Sequence, residues 1–182
     1  MLRRTMALSL LATPLIGIKM SEAADLSNEV YMNLKYGRVV IELLPEIAPK
    51  MVAHFKALIA EHFYDNTPFH RVIPGFMAQG GDPTGTGMGG SNLGTVPAEF
   101  TTQRKFLRGT VGAARSSDPN SADSQFFICC APAPFLDGQY TIFGQVISGM
   151  EYVDEIKKGT GPNGMVTNPD RIIKMRMANA PN

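Results

Sequence analysis

The chain lacks tryptophan altogether and has only two cysteines, Cys129 and Cys130, side by side. Neighbours on a strand point to opposite faces, so a bridge between these two would distort the backbone. Two free thiols are expected, at least one of them buried. The Cys-x-x-Cys spacing of a redox pair is missing. His54, His62 and His70 recur at intervals of eight, with no carboxylate or cysteine to complete a metal-binding set, and read as solvent or core histidines. An excess of one charge is also missing. With 17 basic and 16 acidic residues the formal charge is +1, which gives no strong field for nucleic acid. The 182 residues suit one soluble domain with a sizeable core, without internal repeat or linker.

The longest apolar run is short and lies at the start. Met1 to Ile18 has a basic beginning and an apolar stretch, and Ser21-Glu-Ala23 offers small residues for cleavage before Ala24. Residues 1–23 therefore read as a secretory signal that is removed, and 24–182 as the working domain, periplasmic or secreted. Lys19 interrupts the pattern, and an uncleaved membrane anchor is the alternative, although the run is too short to span a bilayer comfortably. Cleavage removes Arg3, Arg4, Lys19 and Glu22, leaving 14 basic and 15 acidic residues. The mature chain is then nearly neutral and is expected to be a monomer without stable membrane association.

Period-two patterns dominate what remains. Val30–Leu34 and Arg38–Leu44 read as a hairpin turning at Lys35-Tyr36-Gly37, with Val39, Ile41 and Leu43 on one face. Pro49 opens a helix whose stripe is Val52, Phe55 and Ile59, with His54, Lys56 and Glu61 toward water. Phe106–Arg115, Gln125–Cys129, Thr141–Ile147 and Arg171–Met177 read as further strands, the last with Ile173, Met175 and Met177 on one face. A capping box from Ser148 to Glu151 begins a second helix running to Lys158, with Gly159 as its stop. Gly85-x-Gly87-x-x-Gly90 has dinucleotide-site spacing, but Gly94 and Pro97 deny the helix such a site needs.

The stretch from Phe69 to Asp82 carries the chemistry. Alternation places Phe69, Arg71 and Ile73 on one face until Pro74-Gly75 turns the chain, and a returning strand from Phe76 to Gly80 gathers Phe76, Met77 and Gln79 near the guanidinium. A guanidinium stays protonated, cannot act as a base and is a rigid donor. It suits a reaction that needs polarisation without proton transfer. Rotation about an X-Pro bond is one, with a barrier of roughly 18 to 20 kcal/mol set by amide resonance. A donor aimed at the proline nitrogen favours the twisted state. An acceleration of five decades needs roughly 7 kcal/mol, of which one desolvated donor supplies about half.

Phe69–Asp82, Ser124-Gln-Phe-Phe-Ile128 and Phe135-Leu-Asp-Gly138, in that order, resemble the signature of cyclophilin-type peptidyl-prolyl cis-trans isomerases, and the likeness runs from about Val30 to Ala178. It implies an all-β fold, a closed eight-stranded antiparallel barrel capped by two α-helices. It also implies catalysis on proline-containing polypeptides with no cofactor or metal. Carried over residue by residue, it gives Arg71, Phe76 and Gln79 as catalytic. His70, Met77, Ala114, Arg115, Gln125, Phe127, Phe135, Leu136 and Tyr140 become substrate-binding, with Gln125 donating to the client backbone and Phe126 turned into the core. Many relatives have asparagine at Arg115, tryptophan at Phe135 and histidine at Tyr140. A second cation at Arg115 implies an altered choice of residue before proline, and loss of the indole N–H at Phe135 implies weaker inhibition by cyclosporin. A module that grips proline-containing segments as a chaperone or scaffold, with catalysis weak or incidental, is the other reading of the same residues. A serine hydrolase is disfavoured, because nothing places a base and an orienting acid beside Ser124.

Overall fold

The computed structural model describes residues 26–181, so the expected signal at 1–23 lies outside the described residues. Eight strands form a single curled antiparallel sheet: β1 (Glu29–Leu34), β2 (Gly37–Leu43), β3 (Arg71–Ile73), β4 (Met77–Gly80), β5 (Thr110–Ala113), β6 (Phe126–Cys129), β7 (Ile142–Ser148) and β8 (Lys174–Met177). Their order is β3-β4-β6-β5-β7-β2-β1-β8. The edge strands β3 and β8 do not share a ladder. The seam is closed just before each of them by the bridge Pro68–Arg171, with Asn66 N–H donating to Ile172 O (2.7 Å) and Phe69 N–H to Asp170 O (2.8 Å). Two helices, α1 (Pro49–Ala60) and α2 (Met150–Glu155), complete the fold.

Alternation explains the interior. Val30, Met32 and Leu34 of β1 and Val39, Ile41 and Leu43 of β2 all enter the core, as the period-two pattern requires. Against them α1 presents Met51, Val52, Phe55, Leu58 and Ile59. Phe55 is the hub: its ring lies 4.8 Å from Tyr64, 5.6 Å from Phe126 and 5.0 Å from Phe143. Pro49 begins α1 as expected, and Ala48 at the N-cap provides no side-chain acceptor. The orphan donors are taken instead by a distant carboxylate, with Lys50 N–H and Met51 N–H donating to Glu99 at 3.0 and 2.9 Å.

Several expectations are corrected. His54 does not face water; it is half-buried, with Nε2 3.0 Å from Asp123, because α1 packs against the loop before β6. No capping box forms at Ser148. Gly149 caps α2 at φ +85°, where a Cβ would stand 2.5 Å from Arg38 O, and the helix ends at Glu155. The strand expected from Phe106 starts only at Thr110, because Leu107 O accepts from Thr110 N–H in a turn. The final strand is shorter as well: Ile172 is buried and Ile173 exposed, so Ile173 does not share the inward face of Met175. The bridging contacts at 170–172 hold that segment out of regular alternation. Both cysteines are free; Cys129 is buried, which pushes its thiol up to about 12, and Cys130 is half-buried.

Phe55→Ala removes the ring on which three others converge. It is expected to cost about 3 to 5 kcal/mol, read as a lower urea midpoint with an unchanged m-value.

Candidate active site

Register across four neighbouring strands sets the centre of the site. Arg71 on β3 stands opposite Gln79 on β4, Gln79 opposite Phe127 on β6, and Phe127 opposite Gly112 on β5, so one row crosses the sheet. Residues in one row share a face. The next row carries Ile73, Met77 and Cys129 on that same face, while Val72, Ala78, Phe126 and Ile128 point into the core. Gly112 continues the row without a side chain, and a Cβ there would meet the Phe127 ring at 2.4 Å. The glycine thus makes room for the aromatic wall.

A cavity of about 240 Å³ lies over this row. Phe76, Met77, Phe127, Leu136 and Tyr140 give it an apolar lining, and Ala114, Arg115, His70, Arg71 and Gln79 line it together with Gly87 and Met165. Phe127 stacks on Phe106 at 5.6 Å and meets the edge of Tyr140 at 5.8 Å, which fixes its plane. Leu136 arrives on a short turn, Pro134–Leu136, which is tied back through Ala133 N–H to Phe106 O (2.8 Å).

Arg71 is half-buried and held by neutral acceptors. Nη1 donates to Gln79 Oε1 at 3.2 Å and Nε to the Asn163 carbonyl at 2.9 Å. Gln79 in turn donates to Gln125 Oε1 at 3.0 Å, and Gln125 donates to the Gly87 and Gly89 carbonyls at 3.0 and 2.8 Å. One chain of hydrogen bonds therefore runs from the cation to the glycine loop. Asp82 anchors that loop from beneath: fully buried, it accepts from Thr84 N–H (2.8 Å), Thr84 Oγ1 (2.8 Å) and Gly87 N–H (2.6 Å). Burial pushes its carboxyl upward, but hydrogen bonds from Thr84, Gly89 and Gly87 outweigh that and leave it below the ordinary range. His70 is driven the other way. Burial lowers its pKa, with Asp82 opposing, so the ring is neutral near pH 7, and neither ring nitrogen has a hydrogen-bond partner among the described residues.

All but two of the expected site residues meet in this cavity, and one expected strand position also differs. Phe135 stands outside the lining, 63 % exposed, with its ring 5.2 Å from Phe76. Gln125 lines an adjoining cavity, and its amide is already given to the glycine loop. Phe69 does not share Arg71's face; it is buried in the main core, and the chain becomes regular strand only from Arg71, so His70 and Arg71 both reach the cavity. Asn163 and Met165 were not anticipated. The segment after α2 folds beside β3, with Val72 N–H donating to Gly164 O at 2.8 Å, and brings Asn163 O to the guanidinium and Met165 to the cavity lining. In the sequence it is only a turn-rich stretch.

Comparison with known proteins supplies the context. Residues 29–177 match the family model described as cyclophilin type peptidyl-prolyl cis-trans isomerase/CLD. A probable peptidyl-prolyl cis-trans isomerase from Brucella suis is 50% identical over 180 residues, covering 92% of this chain and 91% of the relative. Among solved structures, a cyclophilin-type isomerase from Cryptosporidium parvum, determined in the presence of the dipeptide Ala-Pro, superposes with a TM-score of 0.75. It is 34% identical and covers 82% of this chain and 98% of its own. A cyclophilin from Hirschia baltica gives 0.74 at 28% identity, over 84% of this chain and 74% of its own.

The depressed Asp82 carboxyl has a signed consequence. Its stabilising effect is complete above the ordinary carboxylate pKa and is lost as pH falls through the lower folded value, below about 4. Asp82→Asn is expected to lower the urea midpoint at neutral pH and to flatten its acid limb, measured by urea titrations across that range.

Proposed function

The chain belongs to the cyclophilin-type peptidyl-prolyl cis-trans isomerases, and we propose that it accelerates X-Pro rotation in exported polypeptides, with Arg71 polarising the proline imide. The observation that carries this mechanism is a guanidinium held, among the described residues, by an amide and a carbonyl at the wall of an apolar cavity. Those acceptors orient it without cancelling its charge, so the field is in place before a client arrives.

Met77, Phe127 and Leu136 grip the pyrrolidine ring and keep water from it, and Phe76 and Tyr140 complete the apolar lining. An Arg71 N–H meets the imide lone pair as it leaves conjugation with the preceding carbonyl. No bond is made or broken and no proton is transferred. The donor contributes roughly 3 to 4 kcal/mol, and the dry binding of the ring contributes the remainder of the roughly 7 kcal/mol needed for five decades. Gln79 keeps the guanidinium in place. His70, neutral and only 2 % exposed, adds its ring to the wall of the cavity beside Arg71, with both ring nitrogens buried away from a client. The Ala-Pro dipeptide used with the Cryptosporidium relative supports a small X-Pro unit as the element recognised.

Export is supported by the composition of residues 1–23, with its basic start, apolar run and small residues before Ala24. Clients are then secreted chains whose slow folding steps are X-Pro isomerisations.

Arg71→Ala is expected to lower turnover by about two to three orders of magnitude, measured in a protease-coupled isomerisation assay, while a proline peptide still binds. Equal loss of rate and affinity would leave a binding module standing in its place. N-terminal sequencing of the exported protein is expected to begin at Ala24.

A further inference from the structure

The groove continues beyond the ring-binding cavity. A second cavity of about 390 Å³ shares Gln79, Gly87, Ala114 and Arg115 with the first, so Arg115 stands where the two meet. Asp123 is the carboxylate of this second cavity and is already engaged, accepting from Ser91 N–H and lying 3.0 Å from His54 Nε2. The cation at the junction is held as well, but by no opposite charge among the described residues. Arg115 donates from Nε and Nη2 to Gln139 O (3.2 and 2.8 Å) and from Nη1 to Ser116 O (2.9 Å), and its guanidinium lies 4.4 Å from the centre of the Tyr140 ring.

Every one of those acceptors is neutral. Neither Arg115 nor Arg71 forms an ion pair among the described residues. Three N–H groups of Arg115 are taken, and a guanidinium has five. A free surface arginine loses rotamer entropy when it grips a ligand; this one is already held over Tyr140 by three hydrogen bonds and has much less to lose. What fits the remaining donors best is a carboxylate, through charge-assisted hydrogen bonds, whereas a basic side chain meets two like charges in one groove.

Resting on the reading of this groove as the isomerase site, we infer that Arg115 makes the enzyme favour prolines flanked by aspartate or glutamate and disfavour those flanked by lysine or arginine. The pocket for the ring decides that a proline is bound. Arg115 decides which prolines are turned over fastest.

The test is a series of short proline peptides differing only in the flanking residue, Glu, Ala or Lys, placed on either side of the proline and compared by kcat/KM. At low salt Glu is expected to exceed Ala by about three-fold on at least one side, with Lys below Ala. The Glu-to-Ala ratio is expected to fall toward one in about 0.5 M salt and in Arg115→Gln, while Arg115→Lys retains part of it. Because the readout is a ratio, a general loss of activity in the variant does not imitate the effect. A ratio near one in the wild type at low salt, or one that survives both salt and Arg115→Gln, overturns the inference. If no peptide is turned over by the wild type, the isomerase reading of the groove falls and this inference with it.

Discussion

The structure depends on keeping a positive charge usable. A carboxylate beside Arg71 would satisfy its geometry and at the same time cancel its field. The fold uses Gln79 and a main-chain carbonyl instead, neutral groups that fix the guanidinium and leave its charge for whatever enters the cavity. The same logic recurs at Arg115, where carbonyls and an aromatic face do the holding. Other charges nearby are arranged around this need: Asp82 and Asp123 spend their lone pairs on the glycine loop, and the His70 ring is neutral by burial.

The sheet makes this possible because it has two occupied faces. One packs the main core around Phe55, and the other, around Met77, Phe127 and Leu136, is the floor of the site. Residues adjacent in sequence, such as Phe126 and Phe127, therefore serve stability and chemistry separately. The row from Arg71 to Gly112 is rigid, since each member is placed by ladder hydrogen bonds on both sides or by the strand at its flank.

Much of this was legible in the residues. The hairpin, the stripe of α1 and the gathering of Phe76, Met77 and Gln79 about Arg71 follow from period and turn signals that act over a few positions. What escaped were contacts between distant segments. Glu99 caps α1 from across the chain, Asp123 draws His54 inward, and the turn after α2 delivers Asn163 to the cation. Local pattern also misled at Ser148, where a good capping sequence lost to a glycine that could approach β2 closely. Phe69 and Ile173 broke alternation for a related reason, since the seam between the two edge segments imposes its own hydrogen bonds.

The carbonyl of Asn163 that receives Arg71 belongs to the backbone and not to a side chain. Replacing the asparagine with any other residue leaves that oxygen in the chain, so residue-by-residue mutagenesis is blind to half of what aims the guanidinium. Shortening or lengthening the turn by a single position would move the oxygen itself. Evolution and protein engineers alike thus have at this place a control that is written in chain length and not in residue identity.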